Sequence, residues 1–191
     1  MQINDGTGLG YVAKVTPGNR LAVDLDDGAL AAAERGVLYT VSTVGGSATA
    51  SLTMTTTGGV LMYLENTAGS NKNIVIDEVL VGGSTSMICS IVLNHVRGTI
   101  SDETEISPTS SHTGSILSAP AGVNAWVWDQ TSDGIGGLTT GTYVLTTLLG
   151  VGPTAIATGG RFIVAPGGSL SVYMKNAGEG TAAIRFYEVD A

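Results

Sequence analysis

Apolar residues along this chain fall in short runs rich in β-branched and aromatic side chains, separated by clusters of Gly, Ser, Thr and Asn. That pattern predicts strands joined by tight turns. Two runs stand out, Val60–Asn66 and Asn73–Val81, on either side of the polar turn Thr67–Lys72. The order returns at an offset of 110 residues in Leu170–Asn176 and Ile184–Val189, with Tyr63/Tyr173, Asn66/Asn176, Ile74/Ile184, Glu78/Glu188 and Val79/Val189 identical. Chance likeness between β-rich segments is one account of these matches. The other is a pair of equivalent strand units, one from each half of the chain. That account predicts an antiparallel, jelly-roll-like β-sandwich, a double sheet of two Greek keys, with the strands around Tyr63 and Tyr173 as neighbours.

The remaining runs extend the same reading. Val37–Val44 and Ala48–Thr55 read as two strands about the turn Gly45-Gly46, and Ser86–Val96 as one long interior strand whose length implies a bend. Residues 98–122 lose apolar content and read as a long polar excursion of the kind that makes contacts or moves. Strands resume at Val123–Asp129 and Thr142–Leu149, then near Thr154–Ala157 and at Arg161–Val164, giving about ten in all. Ahead of them, Asp5–Gly10 holds three glycines in six positions, Tyr11–Val15 and Arg20–Asp24 can extend, and Asp26-Asp27 can cap a short helix Gly28–Arg35 that Gly36 ends. The expected division is an N-terminal arm with a short helix over residues 1–36 and an all-β sandwich over 37–191.

Composition narrows the function. The chain has 191 residues, enough for one domain with a sizeable core, and its 28 glycines with only 13% charged residues suit turns and strands. A formal charge of −8, from 8 basic and 16 acidic residues, argues against a nucleic-acid partner, which needs clustered Lys and Arg. No apolar run is long enough to span a membrane as a helix, and the first residues lack the pattern of a signal peptide. Scarcity of charge also leaves strand edges without their usual Lys and Glu gatekeepers, so neighbouring copies are expected to cover them in a homo-oligomer, most simply a trimer.

Candidate chemistry is thin. Asp24–Gly28 resembles half a calcium loop, but aligning Gly28 with the loop glycine puts Val23 and Leu25 where carboxylates must coordinate. His95 and His112 lack companions at zinc spacing, and the lone Cys89 sits in an apolar run as a small buried hydrophobe. Asp102, Glu103 and Glu105 read as an exposed acidic loop rather than a glycosidase pair, and no nucleophile elbow is present. Neither an enzyme nor a bound metal or cofactor is expected. Trp126 and Trp128 alternate and therefore share one face of a strand, with core burial favoured over an exposed aromatic patch.

The opening Asp5-Gly-Thr-Gly-Leu-Gly-Tyr-Val-Ala-Lys-Val15, followed by Asn19-Arg-Leu21, resembles that of small virion structural proteins of tailed bacteriophages. In those, Asp-Gly-Thr-Gly, then Ala-x-Val, then Asn-Arg-Leu precede a β-rich body. Gly58–Thr67 with Lys72–Asp77 is similar to their first body hairpin; the alanine-rich stretch 28–35 and the loop 98–122 depart from them. The resemblance implies a component of an assembled virion, made in the host bacterial cytoplasm. A capsid decoration or cement protein bound to the major capsid protein or to tail or collar proteins is the expectation. A receptor- or glycan-binding module on a tail, collar or fibre is the alternative. In the first, the arm does the attaching. Its glycines let the backbone add as a strand to a partner, Tyr11, Val12, Val15, Leu21 and Val23 fill shallow pockets, and the planar fork of Arg20 holds a carboxylate.

Overall fold

A computed structural model describes residues 38–43, 52–54, 59–97, 103–110, 120, 122–128, 138–175 and 178–191. No helix occurs among the described residues. In chain order the strands are β1 Leu38–Ser42, β2 Leu52–Met54, β3 Gly59–Asn66, β4 Lys72–Gly83, β5 Met87–Leu93, β6 Val96–Arg97 and β7 Glu103–Ile106. There follow β8 Thr109–Ser110, β9 Val123–Trp128, β10 Leu138–Thr139, β11 Thr142–Leu149, β12 Thr154–Val164, β13 Ser169–Met174 and β14 Gly178–Asp190. Two antiparallel sheets form a sandwich. The first runs β12-β4-β14-β1-β8 with β2 also on β14, the second runs β11-β5-β13-β3-β9-β7, and β6 pairs with β10 as a separate ribbon.

The core lies between the sheets and follows from period-two alternation. Ile74, Ile76, Val79 and Val81 of β4 and Ala182, Ile184 and Phe186 of β14 face Met62 and Leu64 of β3, Ile91 of β5 and Leu170, Val172 and Met174 of β13. Cys89 joins them, buried as expected, and burial pushes its thiol pKa up to about 12. At that value the thiolate is scarce and the side chain acts as a small hydrophobe.

The internal repeat is realised in the strand pairing. Strand β13 lies against β3 and β14 against β4, as the likeness between the two halves predicts. The registers go further. Met62 is opposite Val172 and Ile76 opposite Phe186, and each pair is separated by the repeat offset of 110 residues. An antiparallel pair of equivalent strands meets at equivalent residues only on a local twofold axis, so one such axis runs through both sheets at these two pairs. Ile74 and Ile184 are both fully buried, and Tyr63 and Tyr173 both pack in the cluster on the outer face of the second sheet. The last two identities diverge because of one residue. Asp77 is a bulge opposite the Arg185/Phe186 step, which turns Glu78 outward and Val79 inward; β14 has no matching bulge, so Glu188 points inward and Val189 outward.

Several expectations change on the page of the structure. The segments 37–44 and 48–55 are not a hairpin: β1 and β2 both pair with β14, one beyond the other, against Ala183–Tyr187 and Gly178–Gly180. The polar excursion contains strands. Its Glu103–Ile106 extends the second sheet beyond β9, and Thr109–Ser110 extends the first sheet beyond β1. It closes one flank of the sandwich. The long run 86–96 bends at Asn94, whose φ of 57° ends β5. Thr154–Ala157 and Arg161–Val164 are one strand interrupted by a bulge, where Gly159 and Gly160 have φ of 56° and 72° and the Thr158 hydroxyl donates to the carbonyls of Ile76 and Asp77. The helix expected over 28–35 and the arm 1–36 lie outside the described residues.

Candidate functional site

Two surfaces have distinctive chemistry, and the chain builds them from its departures from regular strand. At Asn94 the backbone leaves β5 and crosses the outer face of the second sheet. His95 is buried there, with Nδ1 2.5 Å from Ser171 Oγ, while its carbonyl accepts from Ser169 Oγ at 2.8 Å and from the Tyr63 hydroxyl at 3.2 Å. Burial lowers the His95 pKa, so the ring stays neutral near pH 7. Gly141, with φ of 103°, passes so close that a Cβ would stand 2.2 Å from His95 Cδ2. Only glycine fits at that crossing. Two residues further on, the Arg97 guanidinium lies 3.9 Å from the centroid of Trp126. Beneath this segment Val60, Tyr63, Val92, Trp126 and Tyr173 form a second apolar cluster.

That arrangement corrects the expectation for the tryptophan strand. Trp126 is opposite Tyr63 and buried, yet on the outer face of its sheet rather than in the core, and the arginine covers its ring. The face therefore presents no bare indole at Trp126. The His95–Ser171 contact has the pairing of a base with a hydroxyl, but both residues are buried and the contact anchors the crossing segment.

The second surface is the flank opposite the one that β7 and β8 close. Here the sheets end in β11 and β12, and neither outer edge has a strand partner among the described residues. Between them opens a slot of about 330 Å³, floored by Leu145, Leu149 and Ile156 and rimmed by Leu148 and Ala155. Leu148 and Val151 are each 73% exposed, Ile163 55% and Tyr143 50%. No charged residue occurs from Gly134 to Gly160, a stretch that includes all of β11 and most of β12. Natural edges are usually blunted by charge, proline or a covering segment. This flank has the single Pro153 in the β11–β12 connection and, at its end, Arg161. Reading strand by strand missed it, although the long charge-free stretch was visible in the sequence.

On the outer face of the first sheet the bulge at Asp77 gathers two ion pairs of Arg185, apart from the Lys72–Asp190 pair at the strand ends. Arg185 Nε lies 2.6 Å from Asp77 Oδ2, and its Nη2 3.4 Å from Glu78 Oε2. The partner consequence of that bulge is Glu188, held facing inward. Burial raises its pKa above the ordinary carboxylate value, with Lys72 pulling it back down. The folded chain thus binds this proton more tightly than the unfolded chain. Stability falls as pH rises from the ordinary carboxyl range through the raised value, and the full penalty applies at neutral pH. Glu188→Gln is expected to melt higher than the parent at pH 7 and to match it near pH 3, where both states are protonated. Melting curves at the two pH values check this; a lower melting point at pH 7 would mean that the attraction of Lys72 outweighs the burial.

Of the residues expected to carry function, Tyr11, Val12, Val15, Arg20, Leu21 and Val23 all lie outside the described residues. Among the described residues no group of His, Cys, Asp or Glu is placed to hold a metal ion, and no helix is long and apolar enough to cross a membrane. Comparison with protein-family models, with curated proteins and with solved structures finds no match.

Proposed function

We propose that this chain is a bacteriophage virion structural protein, a capsid decoration or cement subunit whose sandwich is a jelly roll. The strand order supports the fold. Number β1, β3, β4, β5, β11, β12, β13 and β14 from first to eighth; one sheet then has the order 1-8-3-6 and the other 2-7-4-5. That is the order two Greek keys generate when they fold together as a double sheet. The observation that carries a structural role is the open flank. An acidic chain with two edge strands unpartnered among the described residues, and Arg161 as the one charge along them, is suited to being covered by another surface. The protein works as a homo-oligomer, a trimer in its simplest form, and acts by contact rather than catalysis. Attachment to the major capsid protein, or to tail or collar proteins, runs through the arm 1–36, on the strength of its resemblance to the phage proteins. The glycan-binding alternative loses one of its platforms, since Arg97 already occupies the face of Trp126.

Deleting residues 2–24 tests the attachment. The variant is expected to keep β-rich circular dichroism and a cooperative melt, yet to fail to join particles. Normal incorporation would defeat the arm's role. Copy number in purified particles separates the two locations, many copies indicating decoration and few a tail module.

A further inference from the structure

We infer that the open β11–β12 flank is the contact surface between copies of this chain, with the flanks of neighbouring sandwiches packed on one another around a shared axis. The inference rests on the oligomeric reading above and assigns it a surface. Charge is the first argument. Copies of a chain with net charge −8 repel one another, and the approach that costs least brings together surfaces without charge. The flank is close to such a surface, because no acidic or basic residue interrupts Gly134–Gly160 and Arg161 is the one charge on β12. On the opposite side of the sandwich Glu103 and Glu105 lie on β7, at the edge of the second sheet.

Closure is the second argument. The chain covers one flank with its own strands: β9 and β7 continue the second sheet past β3, and β8 continues the first past β1. Among the described residues none does so at β11 and β12, where the slot of about 330 Å³ opens along the edge of the core. Leu148 lines the slot at one end of the flank and Ile163 is exposed towards the other end of β12. Opposite Ile88 and Val75, they stand on the outer faces of the second and first sheets beside the open edges, where a neighbouring flank would meet them. Unpaired edge groups of β11 and β12 are available to bond across the contact. A small ligand fits this description less well, since the slot floor is apolar and no convergent charged group lines it.

The test uses the full chain in solution. Leu148→Glu and Ile163→Glu replace exposed side chains, so each variant is expected to retain the parent melting behaviour. Val96→Glu, at an exposed apolar residue of the β6–β10 ribbon, makes the same chemical change away from the flank. Sedimentation over a concentration series is expected to show an oligomer for the parent and for Val96→Glu. For Leu148→Glu and Ile163→Glu, the dissociation constant should rise at least about tenfold. Oligomers unaffected by both flank substitutions would overturn the surface while leaving the oligomeric reading intact. A parent that stays monomeric would overturn the oligomeric reading itself, and this inference with it. Deleting residues 2–24 supplies the remaining control: if that deletion also dissociates the oligomer, the neighbour's arm and not its sandwich fills the slot, and the inference fails as stated. Should a flank variant melt abnormally, Leu148→Ser serves in its place, with the same weakened association expected and an unchanged one counting against the flank.

Discussion

Replacing Phe186 by alanine is expected to cost about 3–5 kcal/mol, a large share of the roughly 5–15 kcal/mol by which an ordinary domain is stable. Phe186 is fully buried and among the largest side chains that are. It stands opposite Ile76 on the local twofold axis, and its ring centroid lies 5.7 Å from that of Tyr39 on β1. Truncation therefore opens a cavity where β1, β14 and β4 all meet. Neighbours cannot close it readily, because the strands on either side are held in register by their backbone ladders. Ile76→Val at the partner position removes one methylene and is expected to cost only about 0.5–1.5 kcal/mol. Urea unfolding of the two variants checks both values. A Phe186→Ala loss no larger than that of Ile76→Val would mean that the axis is not the tightly packed centre.

Loss of the Asn66 side chain is the next largest effect expected, about 2–4 kcal/mol for Asn66→Ala. Asn66 ends β3 in a fully buried position, and its Nδ2 donates to the carbonyls of Lys72 and Val164, each at 2.8 Å. Its backbone completes the junction: the amide donates to Gly168 O at 3.0 Å and the carbonyl accepts from Gly167 N–H at 2.7 Å. One residue thus ties the β3–β4 turn to the β12–β13 turn across the first and second sheets. Alanine removes the amide donor from both carbonyls; that of Lys72 keeps the Ser70 hydroxyl at 3.3 Å, while the buried one at Val164 has no ready access to water. Asn66→Asp keeps the shape but exchanges the donor for a charge that burial disfavours, so it should be worse than alanine at pH 7 and recover as pH falls. Thermal melts across pH measure this; an alanine variant as stable as the parent would show that water replaces both bonds.

What the sequence made legible was pairing between distant segments. Tyr63/Tyr173 and Ile74/Ile184 announced two equivalent strand units, and the structure places those units side by side with the equivalent residues Met62 and Val172 facing each other. Glu78/Glu188 and Val79/Val189 looked equally informative and were not, because a single inserted residue, Asp77, reverses the facing of everything after it. Short, polar strands were also hidden. Thr109–Ser110 and Glu103–Ile106 owe their conformation to the edges of β1 and β9 that receive them, and nothing in their own residues favours extension strongly. Alternation rightly put Trp126 on one face of β9, but it cannot say which face, and here the outer face is covered as well as the inner one. For the candidate surface the informative signal was a charge-free stretch, a property of many residues together.

The placement of β13 and β14 has a consequence for how the chain is made. Both follow every other described strand in chain order, and both occupy the middle of their sheets: β14 joins β4 to β1, and β13 joins β5 to β3. Until they emerge, each sheet has only separate pieces, β12 on β4 and β8 on β1 in the first, β11 on β5 and β3-β9-β7 in the second, and β1, β3, β4 and β5 each lack the neighbour that would complete their ladders. Nascent chains must therefore carry these pieces unjoined until β13 and β14 emerge, and loop closures spanning well over a hundred residues then join them. A ribosome that stalls before Ser169 releases a product whose paired strands lack the central strands that join them. Expression yield for such a protein should depend on how fast β13 and β14 are translated and on chaperone supply more than on the stability of the finished sandwich.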